Sequence, residues 1–516
     1  MLKIFKVVAS TSPIPKAGLN SEVLLWTDNW DDWFTYSTQY VVFVYDDSGT
    51  RHRIGNVKIG QFGMKSEQRR PDLQEEFENV GDEFFSVGQD DEYYENLTKL
   101  GTDIRDRVLQ GLGDIALDPD RCLRAMNEKV TGVSLLRSVT KSTVEGQFRR
   151  LATGGARLNE FRFVYTTPPP PARRKTAERA VLSFEVKPNS MPPSNIHVLI
   201  GRNGVGKTHM LNNMSKAIIE KEPDEATFGT FECTTDEKSS FANLVSVTFS
   251  AFDPFEPLPN RKDRLDGLPC AYVGLKRPGK TKKGDPLPPK TPERLSEEFG
   301  ASVLVCSQGA RLSRWRRALE MLETDPIFKA NDVASLADPE MDEKEIRLAA
   351  RRLFGKMSSG HKIVLLTITR LVETVEERTL VLLDEPEAHL HPPLLSAFVR
   401  SLSDLLVNRN GVAIIATHSP VVVQEVPKSC VWKIRRSGRS VVVERPEIET
   451  FGENVGILTR EIFGLEVTDA GFHRLLRESV QSSDTLAQAL AKFDGELGGE
   501  ARALIRALVV NREGSQ

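Results

Sequence analysis

Eight residues near the middle of the chain have the types and order of a phosphate-binding loop. They are Gly201, Arg202, Asn203, Gly204, Val205, Gly206, Lys207 and Thr208. An apolar run at 196–200 precedes them and a helical pattern at 209–219 follows. Glycines let backbone N–H groups wrap around a phosphate, and the start of the following helix favours its negative charge. Lys207 would then reach the β- and γ-phosphates and Thr208 would bind Mg²⁺. The loop therefore predicts an ATP site.

A pair of acidic residues follows a second apolar run. Residues 379–383 are continuously apolar, as in a buried parallel strand, and Asp384 and Glu385 come directly after them. An aspartate at the carboxyl end of such a strand lies beside the nucleotide, where it can hold Mg²⁺. Glu385 is placed to orient or deprotonate an attacking water. Together with the loop, this pair predicts Mg²⁺-dependent hydrolysis of ATP.

A short serine- and glycine-containing segment starts another helical run. Ser358, Ser359 and Gly360 precede the pattern at 363–372. Such residues at a helix start leave free N–H groups that can bind an anion. Because the loop at 201–208 already holds the phosphates of its own site, these three residues are expected to complete the nucleotide site of a second copy of the chain.

A histidine ends one further apolar run. Residues 412–417 predict a buried strand, and His418 follows at its carboxyl end. We expect this strand to neighbour the one that ends in Asp384. A histidine there could donate a hydrogen bond to the γ-phosphate.

In this order the motifs resemble those of the ABC-type ATPases, the class that includes SMC, RecF and OLD proteins. They correspond to a Walker A loop (201–208), a signature (357–361), a Walker B strand (380–385) and a switch histidine (His418). The run Glu-Pro-Glu-Ala-His-Leu-His-Pro at 385–392 is similar to one in the OLD/RecF-like branch. The resemblance covers about residues 157–445. It implies a head-to-tail dimer in which each ATP lies between Walker A of one subunit and the signature of the other.

The sequence departs from this pattern at two places. The signature, usually Leu-Ser-Gly-Gly-Gln, is here Met-Ser-Ser-Gly-His, so that the contact to the partner's nucleotide rests on Ser358 and Gly360 and His361 replaces the glutamine. The glutamine expected after the apolar run at 244–250 is also missing. Ser250 and Asp253 are the candidates to replace it.

These motifs need an α/β fold that positions them, and the chain is long enough for several domains. We predict an α+β accessory domain at 1–156, an ABC-type ATPase domain at 157–445 with an inserted helical lobe at about 254–356, and a helical C-terminal segment at 446–516. In the first domain, residues 40–45 and 53–59 predict two strands joined by a turn.

Composition restricts the partners and the compartment. The net charge is −3, so a nucleic-acid surface would have to be local. The basic stretches 276–283 and 311–317 could contact nucleic acid, although solvated charged segments are the simpler interpretation. The five scattered cysteines contain no C-x-x-C pair, no apolar run is long enough to span a membrane, and the first residues do not start a signal peptide. A cytoplasmic protein without membrane contact is expected.

Three biological roles remain open from sequence. The chain resembles the ATPase subunits (PtuA) of Septu-type bacterial anti-phage systems most closely at 360–418 and 451–465, which implies a separate HNH-type nuclease partner. The C-terminal helices contain no cluster of acids, so an intrinsic nuclease site is not predicted. The alternatives are a RecF-like ATPase that clamps DNA, and a binding scaffold with vestigial hydrolysis. A dimer or a higher oligomer is expected in each case.

Overall fold

The computed structural model describes most of the chain. The described residues are 4–12, 14–15, 20–28, 36–65, 67–155, 160–170, 179–233, 241–250, 253–261, 268–281, 284–308, 310–337, 341–437, 440–464 and 471–514. The predicted domain boundary at 156/157 and Leu465 lie outside them. Within the described residues, no helix is both long and apolar enough to cross a membrane.

The N-terminal domain is a six-stranded sheet covered by helices. Its strands are β1 (Ile4–Val8), β2 (Glu22–Thr27), β3 (Gln39–Tyr45), β4 (Arg51–Gln61), β5 (Glu76–Phe77) and β6 (Phe84–Gly88). They lie in the order β5-β1-β2-β3-β4-β6. The helices are α1 (Asp91–Lys99), α2 (Thr102–Gly111), α3 (Pro119–Ala125), α4 (Lys141–Thr143) and α5 (Arg149–Ala152). The predicted pair of strands at 40–45 and 53–59 is confirmed, since β3 and β4 pair antiparallel.

The second domain contains two sheets. Its strands are β7 (Phe161–Thr166), β8 (Val181–Val186), β9 (Ile196–Ile200), β10 (Thr230–Cys233), β11 (Asn243–Thr248), β12 (Cys270–Gly274), β13 (Thr379–Asp384), β14 (Val412–Thr417), β15 (Val431–Ser437) and β16 (Ser440–Glu444). A small antiparallel sheet has the order β10-β7-β8, and the large sheet has the order β12-β11-β13-β14-β9-β15-β16. From β12 to β15 the strands of the large sheet are parallel, and β16 pairs antiparallel at its end.

Strand order explains how distant motifs meet. The apolar runs that predicted β9, β13 and β14 are almost fully buried, as expected for central parallel strands. Strand β14 lies between the loop strand β9 and the acidic strand β13. Asp384 is in register with Ala416, and Thr417 with Ile200, so the carboxyl ends of the three strands form one edge. The predicted neighbourhood of the Asp384 and His418 strands is confirmed.

Helices cover this sheet on both faces. They are α6 (Lys207–Ile219), α7 (Glu225–Phe228), α8 (Pro292–Cys306), α9 (Ala310–Leu322), α10 (Pro326–Asn331), α11 (Glu343–Lys356), α12 (Ser359–Thr374), α13 (Pro392–Val407), α14 (Pro420–Gln424) and α15 (Val455–Phe463). Residues of α8, α9 and α11 share one hydrophobic core with the sheet, and Trp315 of α9 donates a hydrogen bond to Thr369 of α12 (3.0 Å). The fold is thus α/β, of the P-loop ATPase type.

The prediction of an inserted helical lobe at about 254–356 is wrong for the first part of that segment. Residues 270–274 form strand β12, which pairs in parallel with β11 and extends the central sheet. In the described part of this segment, the helices from Pro292 onward form the insertion, and these pack on the face of the sheet. The strand is short and follows a proline-rich stretch, so no long apolar run marked it in the sequence.

The C-terminal segment is helical, as predicted, over its described residues. After α15 it contains α16 (Phe472–Gln481), α17 (Leu486–Ala491) and α18 (Gly499–Gly514). Leu458 and Ile462 of α15 belong to the core of the ATPase domain. The last three helices form a separate small cluster of their own.

Candidate functional site

The glycine-rich loop connects β9 directly to α6. Gly204 and Gly206 have φ values of +79° and +104°, a left-handed conformation that favours glycine. A Cβ atom on Gly201 would collide with the carbonyl oxygen of Ile434 on β15. Helix α6 begins at Lys207, so its first N–H groups face the loop. The backbone therefore has the conformation that a phosphate-binding loop requires.

Lys207 is buried at the edge of the sheet among three carboxylates. Its ammonium group donates hydrogen bonds to the carbonyl oxygens of Gly201 (2.9 Å) and Arg202 (3.0 Å). Burial lowers the pKa of Lys207, and the charges of Glu385, Asp384 and Glu387 oppose that shift. The structure thus brings the predicted lysine and the predicted acidic pair together.

Asp384 and Thr208 form a hydrogen-bonded pair beside the lysine. Burial raises the pKa of Asp384 to about 6, and the hydrogen bond with Thr208 opposes the shift. In the described part of the chain, Asp384 Oδ1 is buried and has no hydrogen-bond partner. A hard cation bound there would satisfy this oxygen. Mg²⁺ needs only one or two protein ligands, because water and phosphate oxygens complete its shell, and these two residues fit that requirement.

Of the two candidates to replace the missing glutamine, Asp253 lies at the site. It lines a cavity together with Thr208 and Asp384, and its charge contributes to the raised pKa of Asp384. The ammonium group of Lys276 lies 3.5 Å from Asp253 Oδ2 and also contacts the carbonyl oxygens of Asp253 and Phe255. The residues between Ser250 and Asp253, 251 and 252, are outside the described range.

The basic stretch at 276–283 is therefore not a row of free cations. Lys276 contributes to the cavity beside Asp384, and Lys280 forms an ion pair with Glu256 (2.8 Å). Lys282 and Lys283 lie outside the described residues. The second stretch, 311–317, is not a free basic surface either. Trp315 is buried, and Arg317 pairs with Asp404 (2.5 Å).

Glu387 is a site residue to which the sequence analysis gave no role. Its Oε1 accepts hydrogen bonds from the hydroxyl of Thr417 (2.5 Å) and the backbone N–H of His418 (2.8 Å). The same oxygen lies 3.1 Å from His418 Nδ1, whereas Glu385 Oε1 is 3.8 Å from that nitrogen. Glu387 therefore joins the end of β14 to the segment after β13. The feature of the sequence that could have indicated Glu387 is its position, since it is a second acidic residue two positions after Glu385.

Glu385 itself has a constrained backbone. Its φ is +47°, and it precedes a 3₁₀ turn at Pro386–His389. Its N–H donates to the carbonyl oxygen of Ala416 (2.9 Å), so β14 fixes its position. A non-glycine residue in the left-handed region is strained, and such residues cluster at functional sites.

The signature residues start α12, as predicted. Ser358 is the N-cap of the helix. Its hydroxyl lies 2.6 Å from His361 Nδ1, and His361 Nε2 lies 3.2 Å from Asp325 Oδ1. Asp325 also caps α10 and lies 3.5 Å from His391 Nε2. The side chain of His361 is thus buried and contacts Ser358 and Asp325 of its own subunit.

Gly360 is packed against the segment that follows the Walker B strand. A Cβ atom at this position would collide with the carbonyl oxygen of His389. The glycine is therefore needed for close contact between α12 and residues 386–391, a requirement inside one subunit. Ser359 is exposed at the same helix start, next to Ser358.

Comparison with known proteins gives matches over the whole chain and over the ATPase domain. Residues 291–424 match the family model AAA_21, an AAA domain whose description names the AbiEii toxin and a type IV TA system. The chain is 42% identical over 532 residues to protein Ea59 of Escherichia phage lambda, which covers 99% of this chain and 98% of that protein.

Solved structures of ATP-binding cassettes also match. A cassette of an ABC transporter in its ADP conformation is 13% identical, covers 57% of this chain and 93% of its own, and has a TM-score of 0.28. A nucleotide-free cassette is 12% identical, covers 52% and 85%, and has a TM-score of 0.27. The α/β fold of the P-loop ATPase type is instead shown by the strand order and the loop geometry described above.

Proposed function

The chain belongs to the family of protein Ea59 of Escherichia phage lambda and contains an AAA/ABC-type ATPase domain, and from this premise we propose that it binds ATP with Mg²⁺ and hydrolyses it. The observation that carries the proposal is the buried Asp384 carboxylate, hydrogen-bonded to Thr208 and with an oxygen that lacks a partner among the described residues. A loop of phosphate-binding conformation lies beside it.

Each residue of the site has a proposed role. Lys207 and the loop N–H groups stabilise charge on the β- and γ-phosphates. Thr208 and Asp384 hold Mg²⁺, which neutralises phosphate charge when it is bound. Glu385 orients the attacking water and accepts its proton as the bond to the β-phosphate oxygen breaks. His418 donates a hydrogen bond to the γ-phosphate, and its distance from Glu387 supports a fixed ring orientation.

The proposed active unit is a head-to-tail dimer. Ser358, Ser359 and Gly360 lie at the start of a 16-residue helix, where free N–H groups can bind the γ-phosphate of a partner's ATP. Glu385→Gln is expected to bind ATP but not to hydrolyse it, and so to accumulate an ATP-bound dimer. Light scattering with Mg²⁺-ATP measures this, and Lys207→Ala serves as the control that stays monomeric. A Glu385→Gln protein with normal turnover would remove Glu385 from its role.

For the biological role, we propose the regulatory ATPase of an anti-phage complex that acts with a separate HNH-type nuclease, as the similarity to Septu ATPases implies. A phage-encoded relative is compatible with a function exerted during phage infection. The RecF-like alternative has less support, because Lys276 and Lys280 of its basic stretch have partners within the chain.

Purification of the tagged protein from its native locus tests these roles. A stoichiometric nuclease that cuts DNA under nucleotide control would support the defence role. Recovery of the ATPase alone, loading onto DNA only with ATP, would support the clamp instead. If the protein hydrolyses no ATP either with or without DNA, the remaining role is a binding scaffold with vestigial hydrolysis.

A further inference from the structure

A serine, a histidine and an aspartate form a chain of hydrogen bonds at the start of α12. Ser358 is exposed, and its hydroxyl oxygen lies 2.6 Å from His361 Nδ1. His361 Nε2 lies 3.2 Å from Asp325 Oδ1, and the side chains of this second pair are each less than one tenth exposed. The imidazole ring therefore connects a hydroxyl at the protein surface to a buried carboxylate.

The carboxylate determines which ring nitrogen of His361 carries a proton. Burial would raise the pKa of Asp325, but hydrogen bonds from the N–H groups of Ile327 (2.8 Å) and Phe328 (3.3 Å) and from His361 hold that pKa below its usual range. An ionised carboxylate can only accept hydrogen bonds, so His361 Nε2 carries the proton that faces Asp325. In the neutral ring, Nδ1 is then an acceptor.

This tautomer restricts the hydroxyl of Ser358. A hydroxyl group has a single proton, and beside an accepting Nδ1 the proton of Ser358 is donated to His361. Phosphate oxygens are also acceptors, so Ser358 has no proton to donate to a γ-phosphate while His361 is neutral. When His361 is protonated, its Nδ1–H donates to the Ser358 oxygen, and the hydroxyl proton is released to a ligand at the surface.

The charged groups around the ring favour its protonated form. The ionised carboxylate of Asp325, which precedes α10, is in hydrogen-bond contact with it. His391, which precedes α13, is half-exposed; its ring centre lies 6.5 Å from that of His361 and its Nε2 lies 3.5 Å from Asp325 Oδ2. Lys362, the next residue on α12, lies over the Phe354 ring of α11 (6.0 Å). The contact with Asp325 therefore stabilises a positive charge on His361.

We propose that His361 and Asp325 are positioning residues that enable Ser358 to donate a hydrogen bond to the γ-phosphate of the partner's ATP, and that the ATP-bound dimer takes up a proton at His361 in each subunit. The inference rests on the head-to-tail dimer of the proposed function. ATP of the partner favours the protonated ring, because that state frees the hydroxyl proton and adds positive charge near the phosphate. By linkage, protons favour the ATP-bound dimer to the same extent.

Calorimetric measurement of proton uptake tests the proposal. The Glu385→Gln protein is titrated with Mg²⁺-ATP in HEPES and in Tris, whose ionisation enthalpies differ, so that the difference in heat gives the protons bound. Asp384 and His418 at the nucleotide also titrate, and the uptake is therefore read as the difference from the same protein with His361→Gln. Near pH 8 this difference should be about one proton per subunit, and it should approach zero near about pH 5.5. The dimer affinity should fall with rising pH by up to about 10-fold per pH unit for each His361.

Three variants identify the group that takes up the proton. His361→Gln introduces the residue of the usual signature, which does not titrate, and should form the dimer without the additional uptake. Ser358→Ala should form a weaker dimer that also lacks this uptake, because no hydroxyl proton has to be released. His391→Gln is the matched control: it removes a histidine from the same cluster and should keep the uptake of the Glu385→Gln protein.

Equal proton uptake with and without His361→Gln, in proteins that both form the ATP-bound dimer, would overturn the proposal and leave the dimer standing. Loss of the uptake in His391→Gln alone would overturn it as well. A protein that binds no Mg²⁺-ATP, or stays monomeric with it, would instead refute the proposed function, and the inference would fall with it. Imidazole ¹⁵N NMR of the ATP-free protein near pH 8 reads the tautomer without any dimer; a proton on Nδ1 of the neutral His361 ring would contradict the proposal.

Discussion

Replacement of Glu387 by glutamine is expected to reduce ATP hydrolysis with little effect on folding. One carboxylate oxygen of Glu387 accepts hydrogen bonds from the Thr417 hydroxyl and the His418 N–H, and lies 3.1 Å from the His418 ring. A glutamine carbonyl can keep the first two contacts. It loses the negative charge that faces His418 and Lys207.

The size of the effect follows from these contacts. A hydrogen bond to a charged group contributes about 1.5–3 kcal/mol and a neutral one about 0.5–1.5 kcal/mol. Because Glu387 is nearly buried, we expect the glutamine to lower the free energy of unfolding by about 1 kcal/mol, since loss of the buried charge offsets part of the cost. Alanine would leave two donors unpaired and cost about 3 kcal/mol. A misoriented His418 should reduce kcat by roughly 10- to 100-fold, or about 1.4–2.7 kcal/mol of barrier.

Steady-state ATPase assays at saturating Mg²⁺-ATP measure kcat, and urea unfolding measures the free energy of unfolding. Glu425→Gln is a control, because Glu425 is also a largely shielded carboxylate with a partner in the chain, Arg400 (2.8 Å), but it lies at the end of α14 and not in the segment after β13. The reasoning is refuted if Glu387→Gln keeps the parental kcat. It also fails if the two variants lose the same share of activity.

Four further substitutions are expected to have defined outcomes. Lys207→Ala should weaken Mg²⁺-ATP binding at least 100-fold in a calorimetric titration, and unchanged affinity would remove the loop assignment. Gly360→Ala should cost about 2 kcal/mol of unfolding free energy by overpacking against the His389 carbonyl, whereas Gly355→Ala, with open space around it, should stabilise α11 by up to about 1 kcal/mol. Burial raises the pKa of Asp114 from 3.8 to about 7. As the pH rises from about 4 to 7, the unfolded chain loses the Asp114 proton while the folded chain keeps it, so the free energy of unfolding falls by up to ~1.4 kcal/mol per pH unit. Asp114→Asn should remove that slope in urea unfolding at several pH values; an identical slope in both proteins would contradict it.

The elements of the site were predictable because their signals are local. Continuous apolar runs predict buried parallel strands, and the residues that end β9, β13 and β14 must then share one edge. Asp384 and His418 could therefore be placed at this edge without knowledge of the sheet order. Strand β12 gave no such signal, since it has only five residues and the sequence before it is rich in proline.

Side-chain direction was less predictable than element position, because it depends on residues distant in sequence. His361 turns inward because Asp325, 36 positions earlier, lies within reach of its ring. Arg311 and Arg314 were candidates for nucleic-acid contact, yet they line the junction with the N-terminal domain. No pattern along α9 could indicate that a separate domain packs there.

The segment from Glu385 to His391 connects two sites that the proposed dimer would use for different ATP molecules. At its start, the charges of Glu385 and Glu387 act on Lys207 of the glycine-rich loop. At its end, the His389 carbonyl packs against Gly360, and His391 lies 3.5 Å from Asp325, which contacts the buried His361. Helix α12 therefore cannot shift without moving this segment. In a head-to-tail dimer, we expect a displacement of Glu385 on hydrolysis to move the signature residues that face the partner's nucleotide, so that the two sites are coupled through packed backbone.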